Sequence, residues 1–511
     1  MKRRSALRGL IAAGVISGAP LQALAETVRQ KLQLINSGLR IKERFAAALK
    51  RQPALLGYAS AAQSDYQTTD ISLSGEWPAG LKGTLYRNGP AGHEIGEFRY
   101  QHWFDGDGML QAFHLDGPRI AHRARMIRTS KYQQEQAAGQ PLFPGFGTEV
   151  PAQQGVANAD ELNPANISVL VHHSKLFALW EAGSPYELNT TDLKTIGRHV
   201  FSQATDGVPF SAHPRVEADG TLWNFGYASA AKKLAIWHLG PAGDVKRTGV
   251  IDCDPITMVH DFVVTNRHLV FLICPLHYNS EKPATSFLDA HDWQPQMATQ
   301  VLVINKDDFS QVQRLELPAQ WVFHFSNAWE DTRGIIHFEA ARSPDPSILS
   351  TTFASIMQGE MTASSPSHLY SYRINTKRSK VEETALRTDG SCDFPVVSPW
   401  IAGKQHPQLL LLSENQSPHT GLNQISLLNM YNQTEQRFKY PDHLIPEEPL
   451  LIGTPDREGN LPWVLGTALN YREKQTELYL FGSENLGAGP IASARLPYAL
   501  PLGLHGKFYS A

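Results

Sequence analysis

Four histidines in this 511-residue chain sit where an apolar, strand-like run meets a turn: Ser211-Ala212-His213-Pro214, Met258-Val259-His260-Asp261-Phe262, Val322-Phe323-His324-Phe325 and Gly503-Leu504-His505-Gly506. A neutral imidazole offers one nitrogen lone pair. A convergent set of them binds Fe, Zn, Cu or Ni without choosing among these metals. The spacings of 47, 64 and 181 residues exclude a helix-borne pair. They suit strands of a closed β architecture that meet at one axis and offer one side chain each. Taken singly, each histidine reads more readily as a satisfied structural residue, and spacing leaves that alternative open. His172, His173, His199, His238, His406 and His443 sit in polar or ordinary settings and read as surface or structural residues.

Other chemistries are absent. The chain has no GxxxxGK[ST], no G-x-S-x-G and no HExxH, since His93-Glu94 lacks a second histidine. Its 3 cysteines, Cys253, Cys274 and Cys392, show no CxxC spacing, against zinc-finger, iron–sulfur and dithiol readings. Trp103-Phe104-Asp105-Gly106-Asp107-Gly108-Met109 places two aspartates among glycines, but no glutamate follows at the calcium-loop position. A tight turn is the better reading. A formal charge of -3 with 19% charged residues gives no basic surplus for nucleic-acid binding. No series of 20-residue apolar spans marks a polytopic membrane protein.

The elements that must position these residues are mostly strands. From about Asp70 onward, short runs rich in Val, Ile, Leu, Phe and Tyr alternate with Gly, Pro, Asn and Asp. Examples are Lys175–Trp180, Thr221–Tyr227, Val263–Leu272, Gln300–Ile304, Leu409–Leu412 and Glu477–Phe481. No linker-like break interrupts them, so residues 71–511 are expected to form one all-β propeller rather than sandwiches in series. Met357–Ser367 reads as a short helix or a loop. Upstream, residues 26–70 form an N-terminal helical segment. Glu26–Ala62 carries the one convincing helical pattern, with Leu32, Ile35, Leu39, Phe45 and Leu49 near spacings of three and four. It is expected to pack on the body; contact with a membrane surface is the alternative. Residues 1–25 read as an export signal of the twin-arginine type. Arg3-Arg4 precede an apolar run that ends in Ala23-Leu24-Ala25. The expected location is therefore periplasmic or otherwise exported. Cleavage would remove four basic residues and no acidic ones, leaving 42 against 49.

Three blocks go further. Leu81-Lys82-Gly83-Thr84-Leu85-Tyr86-Arg87-Asn88-Gly89-Pro90 is followed by His102-Trp103-Phe104-Asp105-Gly106-Asp107-Gly108-Met109, and Pro501-Leu502-Gly503-Leu504-His505-Gly506 closes the chain. In that order, and from Leu81 to Tyr509, the sequence resembles the carotenoid oxygenase family: carotenoid, apocarotenoid and stilbenoid cleavage dioxygenases, with the retinoid isomerohydrolase of the vertebrate eye. The resemblance implies a seven-bladed β-propeller with a cap of helices and loops over an Fe(II) site. It implies His213, His260, His324 and His505 as the iron ligands, with dioxygen as co-substrate. It also implies three carboxylates behind the histidines: Glu181, Glu448 (Glu447 being a weaker match), and Asp393 where the family motif carries glutamate.

The expected partner is an apolar or aromatic small-molecule alkene, first a carotenoid or apocarotenoid cleaved at one conjugated double bond. Phe143, Phe146, Phe323 and Phe325 would suit a polyene tunnel or the core. The alternative is a stilbenoid, for which the resemblance implies that Tyr100 and Lys131 would engage a phenol. A non-enzymatic propeller that binds a partner is the third reading.

Overall fold

The computed structural model describes residues 37–150, 156, 158–282, 286–387, 389–417 and 421–510. The export segment and the upstream part of the helical stretch lie outside these residues. Seven sheets of four to six strands follow one another along the chain, with two further two-stranded ribbons. They form a seven-bladed β-propeller. Each later blade starts with its innermost strand: Ser168–His172, Arg215–Val216, Val263–Val264, Trp321–Glu330 and Cys392–Val396 open the second to sixth blades. Leu444–Pro446 and Leu450–Ile452 open the seventh.

The sequence sorts strands by depth. Leu222–Ala228 and His268–Ile273 are buried on both faces and read as near-continuous apolar runs. Outer strands such as Val245–Asp252 alternate between half-buried and exposed positions. The apolar run Val263–Leu272 is not one strand. A turn at 265–267, where Thr265 Oγ1 accepts from the Arg267 and His268 backbone N–H groups, divides it in two.

The C-terminal strand His505–Ser510 closes the ring. It pairs with Lys82–Gly92 in the first blade and sets His505 opposite Asn88. The Leu504 N–H donates to Asn88 O at 2.8 Å, and Asn88 Nδ2 reaches Ala165 O and Ser168 O, both at 2.9 Å. One residue thus ties the closing strand to the second blade. Gly89 is needed here, because a Cβ would lie 2.5 Å from Gly503 Cα and 2.9 Å from Leu504 N.

Helices cap the site-bearing face. Helix α1 (37–51) presents Ile41, Phe45 and Ala48 to the body, and the Arg99 guanidinium lies 3.4 Å from the Phe45 ring centroid. The 3-10 turn Pro53–Tyr58 follows. Helix α2 (Ser130–Ala138) was not legible in the sequence. It is short and polar, with only Lys131 and Glu135 buried, and so lacks an apolar stripe. Helix α3 (Phe353–Met357), preceded by a π-helical turn at Ile348–Thr352, lies upstream of the expected Met357–Ser367 element, most of which is irregular. The strand Asp65–Thr68 pairs with Arg119–Met126, so the first blade begins before residue 71. No helix among the described residues is long and apolar enough to cross a membrane.

Gly89→Ala should lower stability by about 1–3 kcal/mol, the usual cost of forcing extra volume into a packed site. A melting temperature equal to the parent's would show that the ring closure is not tightly packed there.

Candidate metal centre

The four histidines converge. His213 and His260 lie just before the inner strands of the third and fourth blades. His324 lies in the inner strand of the fifth, and His505 opens the strand that closes the first. One ring nitrogen from each lies within 4.8 Å of the others. His260 Nε2 is 3.0 Å from His213 Nε2 and 3.2 Å from His324 Nε2. The inner strand of the fifth blade shifts register between Val322 and Phe325 and again before Ala328. Such bulges re-aim side chains, and this one aims His324.

The other ring nitrogens face acids. His324 Nδ1 donates to Asp393 Oδ1 at 2.8 Å and His505 Nδ1 to Glu448 Oε1 at 3.1 Å. His260 Nδ1 lies in ion-pair contact with Glu181 Oε1. No carboxylate among the described residues pairs with His213. Glu448 also accepts from Gly506 N at 2.7 Å. Glu447 instead takes Gly503 N and lies 3.7 Å from Arg87 Nε, which settles the choice between the two glutamates.

Burial drives His213 well below the ordinary imidazole range, and the other three imidazoles and Arg215 add to it. Burial also lowers His505, more than Glu448 raises it. For His324 burial acts downward, but the Asp393 carboxylate outweighs it and raises the group. Burial would raise Glu448, yet His505 and nearby cations hold it down at about 2.

An imidazole that donates from Nδ1 keeps its Nε2 lone pair free. Lone pairs facing one another at 3.0 and 3.2 Å repel unless a cation stands among them. The donor set therefore fits a divalent transition metal, and the carboxylates fix tautomer and ring direction.

Below the imidazoles a second charge cluster holds their strands. Arg215 Nη2 meets both Asp261 oxygens at 2.8 and 2.6 Å, and the guanidinium also donates to Phe262 O and Ser326 O, each at 3.0 Å. Asp261 in turn accepts from Phe262 N and Phe325 N. These two residues lock three blades together and were missed in the sequence. The available signal was an opposite charge within two residues of a candidate ligand.

A cavity of about 910 Å³ opens onto His260, His324 and His505. Tyr58, Trp103, Phe353, Phe104 and Phe323 form one contiguous aromatic wall with centroid separations of 5.1 to 6.4 Å, ending 4.9 Å from the His260 ring. Trp103 and Phe104 belong to the His-Trp-Phe block, so the acidic turn beside them has a purpose. Asp105 accepts from Gly147 N and Thr148 Oγ1 and pins the loop that carries Phe146. The expected tight turn covers only the start of the block: Trp103–Asp105 is a 3-10 turn, and Asp107 and Gly108 already lie in the strand Asp107–Asp116. Of the candidate tunnel phenylalanines only Phe323 lines the cavity; Phe143 and Phe325 are buried core, and Phe146 stacks on Phe287.

Tyr100 and Lys131 do meet, but not at the cavity, which neither lines. Lys131 Nζ is 2.8 Å from Tyr100 Oη, 2.7 Å from Glu135 Oε2 and 3.1 Å from Asp107 Oδ1, and Tyr100 donates to Glu135 at 2.6 Å. Burial would lower Lys131, but the two carboxylates and the phenol outweigh it and keep it cationic. Both polar groups are engaged by buried partners, so the structure places this pair away from the cavity rather than on its wall.

The chain belongs to the retinal pigment epithelial membrane protein family, the carotenoid oxygenases, whose profile matches residues 59–510. It is 28% identical over 479 residues to the apocarotenoid-15,15'-oxygenase of Synechocystis, covering 89% of this chain and 96% of that one. It is 24% identical to the isoeugenol monooxygenase of Pseudomonas nitroreducens, covering 89% and 98%. Solved structures of variants of the Synechocystis apocarotenoid oxygenase superpose with a TM-score of 0.79 at 27% identity, over 90% of this chain and 99% of theirs. The protein is an oxygenase.

Asp393→Asn should weaken metal retention, commonly 10–100-fold for a partner of a ligating histidine. A chelator-competition titration reads it directly, and unchanged affinity would mean that His324 does not depend on this acceptor.

Proposed function

We propose that the chain is an Fe(II)-dependent dioxygenase that cleaves one conjugated C=C bond of an apocarotenoid to two carbonyl products. The observation that carries this reading is the aromatic wall that runs from Tyr58 to the His260 ring. It offers diffuse contact to a long flat polyene and ends at the imidazole cluster.

His213, His260, His324 and His505 would hold the iron, and iron when bound supplies the activation of dioxygen toward an electron-rich alkene. Four neutral imidazoles leave the ion its full charge, since none of the ligands is anionic. Glu181, Asp393 and Glu448 stand one residue further out and keep the rings oriented, each from a different blade. Phe323 packs edge-on against the His260 ring, at 80°, and stacks beside His324. It would press a substrate's double bond toward the axis and exclude water there. Tyr58 faces the same cavity, but burial pushes its phenol up to about 12, so it stays protonated and serves as wall rather than base.

Some relatives carry names of phenolic substrates: isoeugenol monooxygenase, and a resveratrol cleavage oxygenase of Aspergillus fumigatus at 25% identity. A stilbenoid reading is second here, because the lysine and tyrosine that a phenol would need are consumed by Glu135 and Asp107 outside the cavity. The non-enzymatic alternative falls with the family assignment. A polyene is poorly soluble, so delivery from a lipid surface and an exported location belong to this reading; the latter rests on the basic start of the sequence.

Protein loaded anaerobically with ferrous iron should bind one iron per chain, and His260→Ala should lose it on elemental analysis. Exposed to air, the loaded enzyme should convert apocarotenals to two carbonyl fragments identified by mass. Turnover confined to hydroxystilbenes or phenylpropenes would overturn the substrate class, and absence of stoichiometric metal in the parent would overturn the reading altogether.

A further inference from the structure

The fifth blade carries a second recess at the end opposite its histidine. Its strand Trp321–Glu330 runs six residues from His324 to Glu330, about 20 Å at 3.3–3.4 Å per residue. There the turn 331–335 and the turn 376–379 stand side by side. Strand register puts Arg373 opposite Glu382 and Asn375 opposite Lys380, so all four share one face of the blade. With Arg333, Lys377 and Arg378 they line a pocket of about 390 Å³.

The charges in this recess do not balance. Arg333 is held by Asp331 at 2.8 Å. Glu382 serves both Lys380 and Arg373, the latter only at 3.9 Å. Lys377 and Arg378 make no side-chain hydrogen bond or ion pair among the described residues. Five cations thus face two carboxylates, on a chain whose overall formal charge is -3. The surplus is local and is not a consequence of composition. A concave surface lined by one sign of charge focuses its field inward, and guanidinium groups match the oxygens of phosphate in pairs.

We propose that this recess binds a small soluble anion of the phosphate class, of diphosphate rather than monophosphate size. A surplus of three positive charges and the pocket's volume call for more charge and bulk than one phosphate group brings. Asn375 adds a neutral polar group on the same face. The site lies at the far end of the blade from the cavity, so it is separate from the oxygenase chemistry and does not depend on the substrate reading above.

The test is calorimetric titration of inorganic pyrophosphate into the iron-loaded full chain, in phosphate-free buffer at low salt and again at 0.15 M salt. Saturable binding of one pyrophosphate per chain is expected, weaker at the higher salt because exposed charges are screened over about 8 Å. The Lys377→Ala/Arg378→Ala double variant should bind at least about tenfold more weakly, with the alkene-cleavage rate unchanged. Absence of saturable binding at low salt, or equal affinity in the double variant, would overturn the proposal. A parallel arm uses phosphatidylglycerol vesicles. Sedimentation that depends on Lys377 and Arg378, without saturable binding of free pyrophosphate, would assign the recess to lipid headgroups and overturn the soluble ligand.

Discussion

Gathering four imidazole nitrogens within 4.8 Å of one another is the constraint from which most of this molecule follows. Each ring must keep the lone pair that faces the axis, so its other nitrogen has to carry the proton and give it to an acceptor. For His260, His324 and His505 that acceptor is a carboxylate, which in a buried setting is costly unless it is paired. No blade here supplies both a ligand and its acid. The propeller divides the task. The first, third, fourth and fifth blades supply His505, His213, His260 and His324. The second, sixth and seventh supply Glu181, Asp393 and Glu448. With one residue from each, a change in blade number would leave the centre short of a ligand or of an acceptor.

A ring of seven sheets is held mainly by apolar contact, which is not directional. Register at the axis therefore comes from ionic ties next to the ligands. Arg215 and Asp261 bind the third, fourth and fifth blades through backbone carbonyl and amide groups. Arg87 does the same between the first and seventh, reaching Glu448 O at 2.6 Å while its guanidinium is fully buried. Buried ion pairs add little net stability compared with apolar packing, but breaking one leaves an uncompensated charge. Their value here is geometric. They fix where His213, His260, His324 and His505 begin.

This explains which parts were legible in the sequence. Strand-length apolar runs and the Arg87-Asn88-Gly89-Pro90 and Leu504-His505-Gly506 blocks were readable because each residue type answers a local demand: a buried strand, a close backbone approach, a ligand. The resemblance then supplied the grouping of four distant histidines, which spacing alone could not. What escaped was non-local. Helix α2 is polar throughout and stands because Lys131 and Glu135 are neutralised by Tyr100 and Asp107 from another part of the chain. Tyr100 and Lys131 were candidate phenol contacts by resemblance alone, and a sequence does not show which partners such groups are held by. The wall formed by Trp103, Phe104 and Phe353 likewise joins segments some 250 residues apart.

The acid behind His324 is an aspartate carried on an irregular stretch of strand. An aspartate reaches less far than the glutamate the family motif carries, yet its carboxylate stands 2.8 Å from His324 Nδ1. The strand around it is irregular: its register shifts between Asp393 and Val396, and Phe394 adopts a φ of 56°, a region costly for a residue with a β-carbon. Backbone strain of this kind costs on the order of 1–3 kcal/mol and persists only where the surroundings enforce it. Here the same twist turns the Phe394 ring onto His324, stacked at 23° and 5.0 Å, with its edge toward His505. The Phe394 N–H also closes onto Asp393 Oδ1 at 2.7 Å. One strained residue therefore holds the short carboxylate from behind and the imidazole from its face. The local cost is offset by the order it imposes on two metal-facing rings.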